Sequence, residues 1–334
     1  MKGIIKFILF PPLFCIGLVY FLISKKTTSF GYASFRYLFV LTNGKINDWY
    51  SKLVSVFSKV DETGASGILG ELSENDIEAV VKGIREDGFY AFDVLLDEEL
   101  INGMVDFAKT TPTKYIDLTK SRTVYSDKGI IFDEDNPVSP RYQFDQSDVI
   151  NNNTVRRVVF DPTFRSIAAS YLKCQPILDI VTMWWSVPFA NKGASQAAQM
   201  FHFDMDRFKF LKFFFYLKDV HTDNGPHCYI RGTHKSIPPE IRKDRRIDDS
   251  ELTSFFKRED IKEFTGGKGT ILAVDTRGLH KGKPLTKGSR LLFQIQFSNS
   301  LYGAPYTPFR LEGVTEEERR TIAENPRTYQ LIQA

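Results

Sequence analysis

Residues 269–297 read GTILAVDTRGLHKGKPLTKGSRLLFQIQF, two apolar and aromatic runs joined by a polar, glycine-containing stretch. Short runs of β-branched and aromatic residues bounded by turn residues are typical of β-strands. The same texture occurs upstream, at residues 177–189, 196–204, 210–220 and 226–232. Six strand-like segments with no regular helix between them predict an antiparallel sandwich or barrel such as a jelly roll.

The stretch Phe201-His202-Phe203-Asp204 lies within this strand-rich half. Alternate residues of a strand project from the same face, so we expect His202 and Asp204 to lie side by side. They supply two corners of a two-histidine, one-carboxylate site, which leaves open positions on Fe(II) for a co-substrate and dioxygen. His280, just beyond a predicted strand, is the candidate for the third corner. A His-x-Asp pattern alone is weak, because surface strands often carry both residues.

Arg290 opens the last predicted strand, ten residues after His280. Arg290, Gln294 and Gln296 share one face of that strand, while the residues between them are apolar. An arginine at the head of a polar stripe needs a partner, and a carboxylate bound by both arms of the guanidinium would supply one.

Three quoted stretches together resemble the phytanoyl-CoA dioxygenase family: His202-Phe-Asp204, the segment KFFFYLKDVHTDNGPHCYIRGTHK, and residues 269–297. The resemblance extends from about Glu71 to Ser300. It implies a double-stranded β-helix (jelly-roll) core, mainly β with flanking helices, and an iron(II)- and 2-oxoglutarate-dependent dioxygenase.

The resemblance also implies roles for individual residues. His202, Asp204 and His280 are expected to be the iron ligands and catalytic residues, and Arg290 is expected to bind the distal carboxylate of 2-oxoglutarate. Fe(II), 2-oxoglutarate as co-substrate and dioxygen are the expected cofactors, with 2-oxoglutarate decarboxylated to succinate. The substrate is an unidentified small molecule, lipid or glycan.

Three positions bear on the chemistry that the resemblance implies. Thr233 stands where the family usually has serine and Arg231 where it has proline. Phe203 occupies the middle of the His-x-Asp motif, where several members carry a polar residue. Related halogenases have glycine or alanine at the carboxylate position, so Asp204 favours hydroxylation or another oxidation over halogenation.

Two other classes of protein remain open at this stage. One is a non-catalytic, membrane-tethered jelly-roll module that binds glycans, and the other is a metal-dependent isomerase of cupin type. The formal net charge of +3 argues against a dedicated nucleic-acid-binding protein. Three cysteines provide no disulfide framework and suggest a reducing compartment.

The N-terminal run Phe7–Ser24 contains 18 uncharged, mostly apolar residues, enough to cross a bilayer core. We expect a transmembrane anchor; a cleaved signal peptide and a buried or interfacial segment are alternatives, the last favoured by Pro11-Pro12. More basic residues follow the run than precede it, and 2-oxoglutarate is a cytosolic metabolite. Both observations favour a single-pass membrane protein whose catalytic body is cytoplasmic.

Four regions are expected along the chain: an anchor at 1–26, a membrane-proximal helix and linker at 27–70, the oxygenase domain at 71–305 and a C-terminal tail at 306–334. In the second region, Ile46, Trp49, Leu53 and Phe57 recur at helical spacing. This apolar helix face is expected to lie on a membrane or to pack on the body of the protein.

Within the body, helices are expected at residues 73–88, 97–111 and 161–173, with Ser73 and Asp161 as N-caps and Gly88 as a terminator. The polar excursion 236–267 is the candidate lid. Its basic run 242–246 is expected to form a solvated helix of mixed charge, with an anionic substrate as the alternative partner.

Other residues have competing interpretations. A zinc cluster of His221, His227, Cys228 and His234 fits no common ligand spacing. His227 or His234 is a candidate to line the iron pocket, and Lys212 to assist the co-substrate carboxylate. Asp206 competes with Asp204 for the metal, and His-x-Asp geometry favours Asp204. Trp184 and Trp185 are expected to face opposite ways in ordinary packing.

Overall fold

The computed structural model describes residues 2–58, 64–120, 123–189 and 197–334, with side chains from residue 7 onward. Its N-terminal region is helical. The helices are α1 (Lys2–Ser24), α2 (Ser29–Thr42) and α3 (Lys45–Phe57). By length and composition, residues 7–24 form the one helix of the described chain that could cross a membrane, although a signal sequence near an N-terminus has the same character.

One face of α1 packs against the rest of the protein. The rings of Phe14 and Phe21 lie edge-on to Tyr302, with centroids 5.9 and 5.4 Å away. Where α1 crosses α2, a Cβ added to Gly17 would lie 2.7 Å from the Cα of Gly31, so only glycine permits this approach. The first helix therefore contributes to the hydrophobic core as well as carrying an apolar surface.

The segment after α3 connects these helices to the sheets. Its elements are β1 (Ala65–Gly67), β2 (Gly70–Leu72), α4 (Glu74–Asp87), β3 (Phe89–Ala91), α5 (Glu98–Thr110), β4 (Thr113–Tyr115), β5 (Arg141–Phe144), α6 (Gln146–Asn151), α7 (Asn153–Val159) and α8 (Pro162–Leu172). The predicted helices and caps are confirmed for α4, where Ser73 and Asp76 form a capping box and Gly88 ends the helix at φ 93°. The predicted linker is in part the β1–β2 hairpin; residues 61–63 of it lie outside the described chain.

Asp161 is the N-cap of α8, as the sequence predicts. Its Oδ1 accepts the backbone N–H of Thr163 at 2.9 Å, and its Oδ2 accepts that of Ile68 at 2.6 Å. We expect Asp161→Ala to lower the free energy of unfolding by about 1–2 kcal/mol, because two backbone donors lose their acceptor. Urea denaturation measures this. Asp97→Ala is the matched control, since Asp97 caps α5 without a side-chain hydrogen bond; an equal loss there would contradict the assignment.

The C-terminal half supplies the principal sheets. Its elements are β6 (Ile177–Ser186), β7 (Phe210–Tyr216), β8 (His227–Ile230), α9 (Asp249–Leu252), β9 (Ile261–Phe264), β10 (Ile271–Val274), β11 (His280–Gly282), β12 (Arg290–Ser298), β13 (Phe309–Arg310), α10 (Glu316–Glu324) and β14 (Ile332–Gln333). Seven strands form an antiparallel sheet in the order β3-β10-β7-β12-β6-β5-β4, and three form a smaller one, β11-β8-β9. The mainly β architecture with flanking helices is confirmed and is consistent with a jelly roll.

The two faces of the large sheet have different neighbours. On β7, Phe213 and Phe215 contact Phe164 of α8, at centroid distances of 5.0 and 5.2 Å. The side chains on the opposite face of the large sheet form a second hydrophobic cluster with Tyr229 and Phe264 of the small sheet. The space between the two sheets therefore receives the even-numbered side chains of β7 and β12, among them Lys212 and Arg290.

Two local predictions are wrong. Residues 197–204 do not form a regular strand: His202 makes an isolated bridge to His280, and Phe201 makes one to Ile247. Gln196, which begins that predicted strand, lies outside the described residues. The run 242–246 is not a helix, because its side chains pair individually with other elements and its backbone follows turns.

Candidate metal centre

His202, Asp204 and His280 converge between the two sheets. His202 and His280 exchange backbone hydrogen bonds of 3.0 and 2.8 Å, which places their side chains together although they are far apart in the chain. The Nε2 atoms of His202 and His280 lie 3.6 and 3.5 Å from the carboxylate oxygens of Asp204. The three ligand atoms all lie within 4.8 Å of one another, and no other such cluster occurs among the described residues.

Both imidazoles are oriented for metal binding. Nδ1 of His202 lies 2.9 Å from the carbonyl oxygen of Met200, and Nδ1 of His280 lies 3.0 Å from that of Gly278. A carbonyl accepts only from N–H, so the network assigns the proton to Nδ1 and leaves the Nε2 lone pair facing Asp204. Burial lowers the pKa of both histidines, which keeps them neutral, as a metal ligand must be.

The carboxylate of Asp204 is balanced by Lys212. The Nζ of Lys212 lies 2.7 Å from Oδ2 of Asp204 and 3.2 Å from Oδ2 of Asp206. Burial would raise the pKa of Asp204, but the adjacent ammonium group of Lys212 holds it well below its usual value. Burial would lower the pKa of Lys212, and the two carboxylates raise it overall. Asp204 is therefore anionic and Lys212 cationic at neutral pH.

This ion pair makes a testable prediction about Lys212. In Lys212→Met, we expect the metal-free protein to lose about 3 kcal/mol of unfolding free energy, because the partly buried carboxylate of Asp204 is left without a counter-charge. Added Fe(II) should restore most of the loss, since the metal takes over as the counter-charge. Thermal denaturation with and without anaerobic Fe(II) measures both effects. Lys268→Met, which breaks an exposed pair with Glu98, is the control, and a loss unchanged by iron would contradict the prediction.

Arg290 shares a cavity of about 470 Å³ with the three candidate ligands. Its Nη1 donates to the carbonyl oxygen of Gly225, and its Nη2 lies 3.5 Å from the hydroxyl of Ser186. Its Nε is buried with no hydrogen-bond partner in the described chain, and the same holds for Nε2 of His227 in the cavity wall. A carboxylate in this cavity would accept a hydrogen bond from the unpartnered Nε–H of Arg290.

The remaining histidines lie in different environments. His227 lines the cavity, with its ring 5.6 Å from that of His280. His234 lies elsewhere, with Nε2 at 3.1 Å from the carbonyl oxygen of Arg85. His221 is exposed. His221, His227, Cys228 and His234 form no ligand cluster in the described residues.

Sequence reasoning missed several charged side chains at the site. Arg246, from the basic run 242–246, lines the 470 Å³ cavity, and Arg141 lies there with its guanidinium 4.2 Å from the ring centroid of Trp184. Tyr32 and Arg36 of α2 line an adjoining cavity of about 310 Å³ that also contains His202 and Asp204. In the sequence, the one indication of these side chains was the density of arginines in the run 242–246.

A buried ion pair supports the turn that precedes His280. The carboxylate of Asp275 accepts hydrogen bonds from the side chain of Arg277, at 2.7 and 3.1 Å, and from the hydroxyl of Tyr171 at 2.5 Å. Burial would raise the pKa of Asp275, but Arg277 lowers it to about 2. Arg277 also reaches Asp48 of α3 at 3.2 Å, so the turn is connected to the N-terminal helices.

The fold was compared with solved structures. AviO1 from Streptomyces viridochromogenes is 14% identical over 69% of this chain and 98% of its own, with a TM-score of 0.46. EctD from S. alaskensis, solved with 2-oxoglutarate and 5-hydroxyectoine, is 16% identical over 72% of this chain and 82% of its own, with a TM-score of 0.47. The epimerase SnoN from nogalamycin biosynthesis is 13% identical over 67% and 83%, also at 0.47.

A comparison with curated proteins found no match. The sequence model of the family described as phytanoyl-CoA dioxygenase matches residues 84–292, which is more than half of the chain and includes all three candidate ligands and Arg290. This confirms the resemblance seen in the sequence. The family match shows that the protein is a 2-oxoglutarate-dependent dioxygenase, and its His202, Asp204 and His280 cluster could hold the metal ion of such an enzyme. The chain belongs to the phytanoyl-CoA dioxygenase family.

Proposed function

We propose that the protein hydroxylates a C–H bond of a small-molecule, lipid or glycan substrate and converts 2-oxoglutarate to succinate. In this proposal His202, Asp204 and His280 hold Fe(II), and Arg290 binds the distal carboxylate of 2-oxoglutarate. The observation that carries it is the convergence of three ligand atoms within 4.8 Å, in a cavity that also contains the buried guanidinium of Arg290. Two neutral imidazoles and one carboxylate are the donor set that suits ferrous iron with open positions.

The residues of this chain bind and orient the reactants. Iron, when bound, supplies the activation of dioxygen. The backbone carbonyls of Met200 and Gly278 fix the two imidazoles, so that their Nε2 atoms face Asp204 and would hold the metal together with its carboxylate. Arg290 sets the distance of 2-oxoglutarate from the ligands. The aromatic walls, including Trp184 and Phe214, exclude bulk water from the reacting atoms.

Asp204 separates two possible reactions. Because Asp204 would be a third protein ligand at the position where related halogenases have glycine or alanine, hydroxylation rather than halogenation is the proposed outcome. The carboxylate is aimed at the imidazole nitrogens at 3.5 and 3.6 Å, which supports its role as the third ligand ahead of Asp206.

We also propose that the N-terminal region attaches the enzyme to a membrane, with the catalytic domain in the cytoplasm. The apolar composition of α1 and the supply of 2-oxoglutarate in the cytosol support this location. A single-pass anchor, as expected from the sequence, would require α1 to leave its contacts with Tyr302 and Gly31.

Succinate release tests the function. Anaerobically loaded protein is exposed to air with panels of lipids, acyl-CoAs, sugars and amino acids, and succinate is quantified. We expect one class to raise succinate formation well above the substrate-free rate, with the product heavier by one oxygen atom. Folded protein that binds iron and 2-oxoglutarate but never forms succinate would favour a binding module instead.

A further inference from the structure

The helix α3 packs on the body through Asn47, Tyr50 and Ser51, while its large apolar side chains Trp49 and Phe57 face outward. The Nδ2 of Asn47 donates to the carbonyl oxygen of Phe208 at 2.7 Å, and the hydroxyl of Ser51 accepts from Asn299 at 2.9 Å. Trp49 is 57% exposed and Phe57 is 82% exposed. Of the residues predicted to share one apolar face, Ile46 packs against the core, whereas Trp49, Leu53 and Phe57 are exposed. A usual amphipathic helix buries such large apolar side chains against the core.

The outer face of α1 is also apolar. Its inner residues Phe14 and Phe21 are buried against the body. Opposite them, large apolar side chains remain exposed: Phe7, Ile8, Leu9, Ile16, Val19, Tyr20, Leu22 and Ile23. Monomeric soluble proteins rarely expose contiguous apolar surface on this scale unless it binds something.

Residues 2–58 carry a strong excess of positive charge. Residues 2–58 contain seven lysines and arginines but a single acidic residue, Asp48, although the whole chain is nearly neutral at +3. Asp48 itself is paired with Arg277. Lys25, Lys26, Lys45 and Lys52 are all exposed. Apolar side chains interspersed with exposed lysines are complementary to an anionic membrane surface.

We propose that the outer faces of α1 and α3 form a docking surface that lies in the plane of an anionic bilayer. The contacts that α1 makes with the body along its length support this arrangement. Phe10 lies 4.9 Å from the ring of Tyr37, Phe14 and Phe21 contact Tyr302, and Gly17 meets Gly31. A helix held to the body along one side presents its other side to the headgroup and acyl boundary without crossing it.

Helices α1 and α2 border a route to the cavity that contains the three candidate ligands. Arg36 of α2 makes a two-armed ion pair with Asp244, at 2.7 and 2.5 Å. This pair borders the 310 Å³ cavity that contains His202, and also a groove of about 430 Å³ lined by Phe10, Tyr37 and neighbouring residues of α2. The substrate is therefore a membrane amphiphile that enters between α2 and the excursion 236–267, past the Arg36–Asp244 pair. This part rests on the proposed function.

Vesicle co-sedimentation tests the surface. The full-length protein is mixed with phosphatidylcholine vesicles, with or without phosphatidylserine. We expect binding that is stronger with phosphatidylserine, and a loss of at least about thirtyfold in the double variant Trp49→Glu, Phe57→Glu. The matched control is Val94→Glu, Leu95→Glu, which alters two exposed apolar residues outside these helices and should bind like the wild type.

Either of two other results would overturn the proposal. If the Trp49, Phe57 variant binds vesicles normally but changes a dimer into a monomer in light scattering, the surface joins two copies of the chain. If an N-terminal epitope is protected from protease in sealed vesicles while the C-terminus is cleaved, α1 spans the bilayer. Accessible epitopes at both ends are the expected result.

The substrate class has its own readout. Succinate formation should rise with the phosphatidylcholine and phosphatidylserine vesicles in the wild type, and fall at least tenfold in the Trp49, Phe57 variant, while both proteins bind iron and 2-oxoglutarate equally. Normal cofactor binding without any vesicle effect would overturn the amphiphile assignment alone. If the wild type does not bind iron and 2-oxoglutarate, the proposed function itself is wrong.

Discussion

Replacing His280 by alanine is expected to abolish succinate formation. The imidazole of His280 is buried, and its Nε2 faces Asp204 at 3.5 Å. Removing an outer partner of a metal ligand typically costs about 10–100-fold in affinity or activity, and losing a ligand itself should cost more. We therefore expect Fe(II) affinity and turnover to fall by more than about 100-fold, measured by anaerobic calorimetry and by succinate assay.

His221→Ala is the matched control for this change. His221 is exposed and lies outside the cavity, so its removal should alter neither iron affinity nor turnover. Circular dichroism of both variants separates loss of metal from loss of fold. Wild-type iron affinity in a folded His280→Ala protein would contradict the assignment of His280 as a ligand.

Replacing Arg290 by alanine is expected to weaken 2-oxoglutarate binding. The guanidinium is buried, and its Nε has no partner in the described chain, so a bound carboxylate would depend on it for a counter-charge. Truncating one member of a buried charge pair costs about 2–5 kcal/mol. The KM for 2-oxoglutarate should therefore rise by about thirtyfold or more, whereas iron affinity should change little.

The variant Arg290→Lys refines this prediction. Lysine keeps the charge but loses the two-armed geometry of the guanidinium, so its KM should lie between those of the wild type and Arg290→Ala. Equal KM values for 2-oxoglutarate in all three proteins would show that another cation, such as Arg246 or Arg141, binds the distal carboxylate.

Local sequence signals predicted much of the body. The caps of α4 and α8 were recognised because Ser73 and Asp161 act on backbone groups only two or three residues away. Strands β6, β7, β10 and β12 were found because buried strands are continuous apolar runs. The strand around His202 was predicted wrongly, since Phe201 and His202 make isolated bridges to two different segments, at Ile247 and His280, and do not join a continuous ladder.

Part of the candidate site could be predicted from local sequence patterns, and part depends on contacts between distant segments. The side-by-side arrangement of His202 and Asp204 follows from their spacing, and the face of β12 that carries Arg290 follows from strand alternation. The participation of Arg141 and Tyr32 could not be derived, because each reaches the site through contacts between elements far apart in the chain, whereas His227 was named as a candidate and does line the cavity. Periodicity likewise identified the apolar face of α3 but not its direction, which depends on polar partners such as Asn299.

Anaerobic absorbance spectroscopy tests the central claim most directly. Fe(II) and 2-oxoglutarate are added to the purified protein without substrate or oxygen. A metal-to-ligand charge-transfer band should appear in the wild type and be absent in folded His202→Ala. A well-folded wild-type protein that develops no such band, or a His202→Ala variant that keeps it, would contradict an iron centre built from His202, Asp204 and His280.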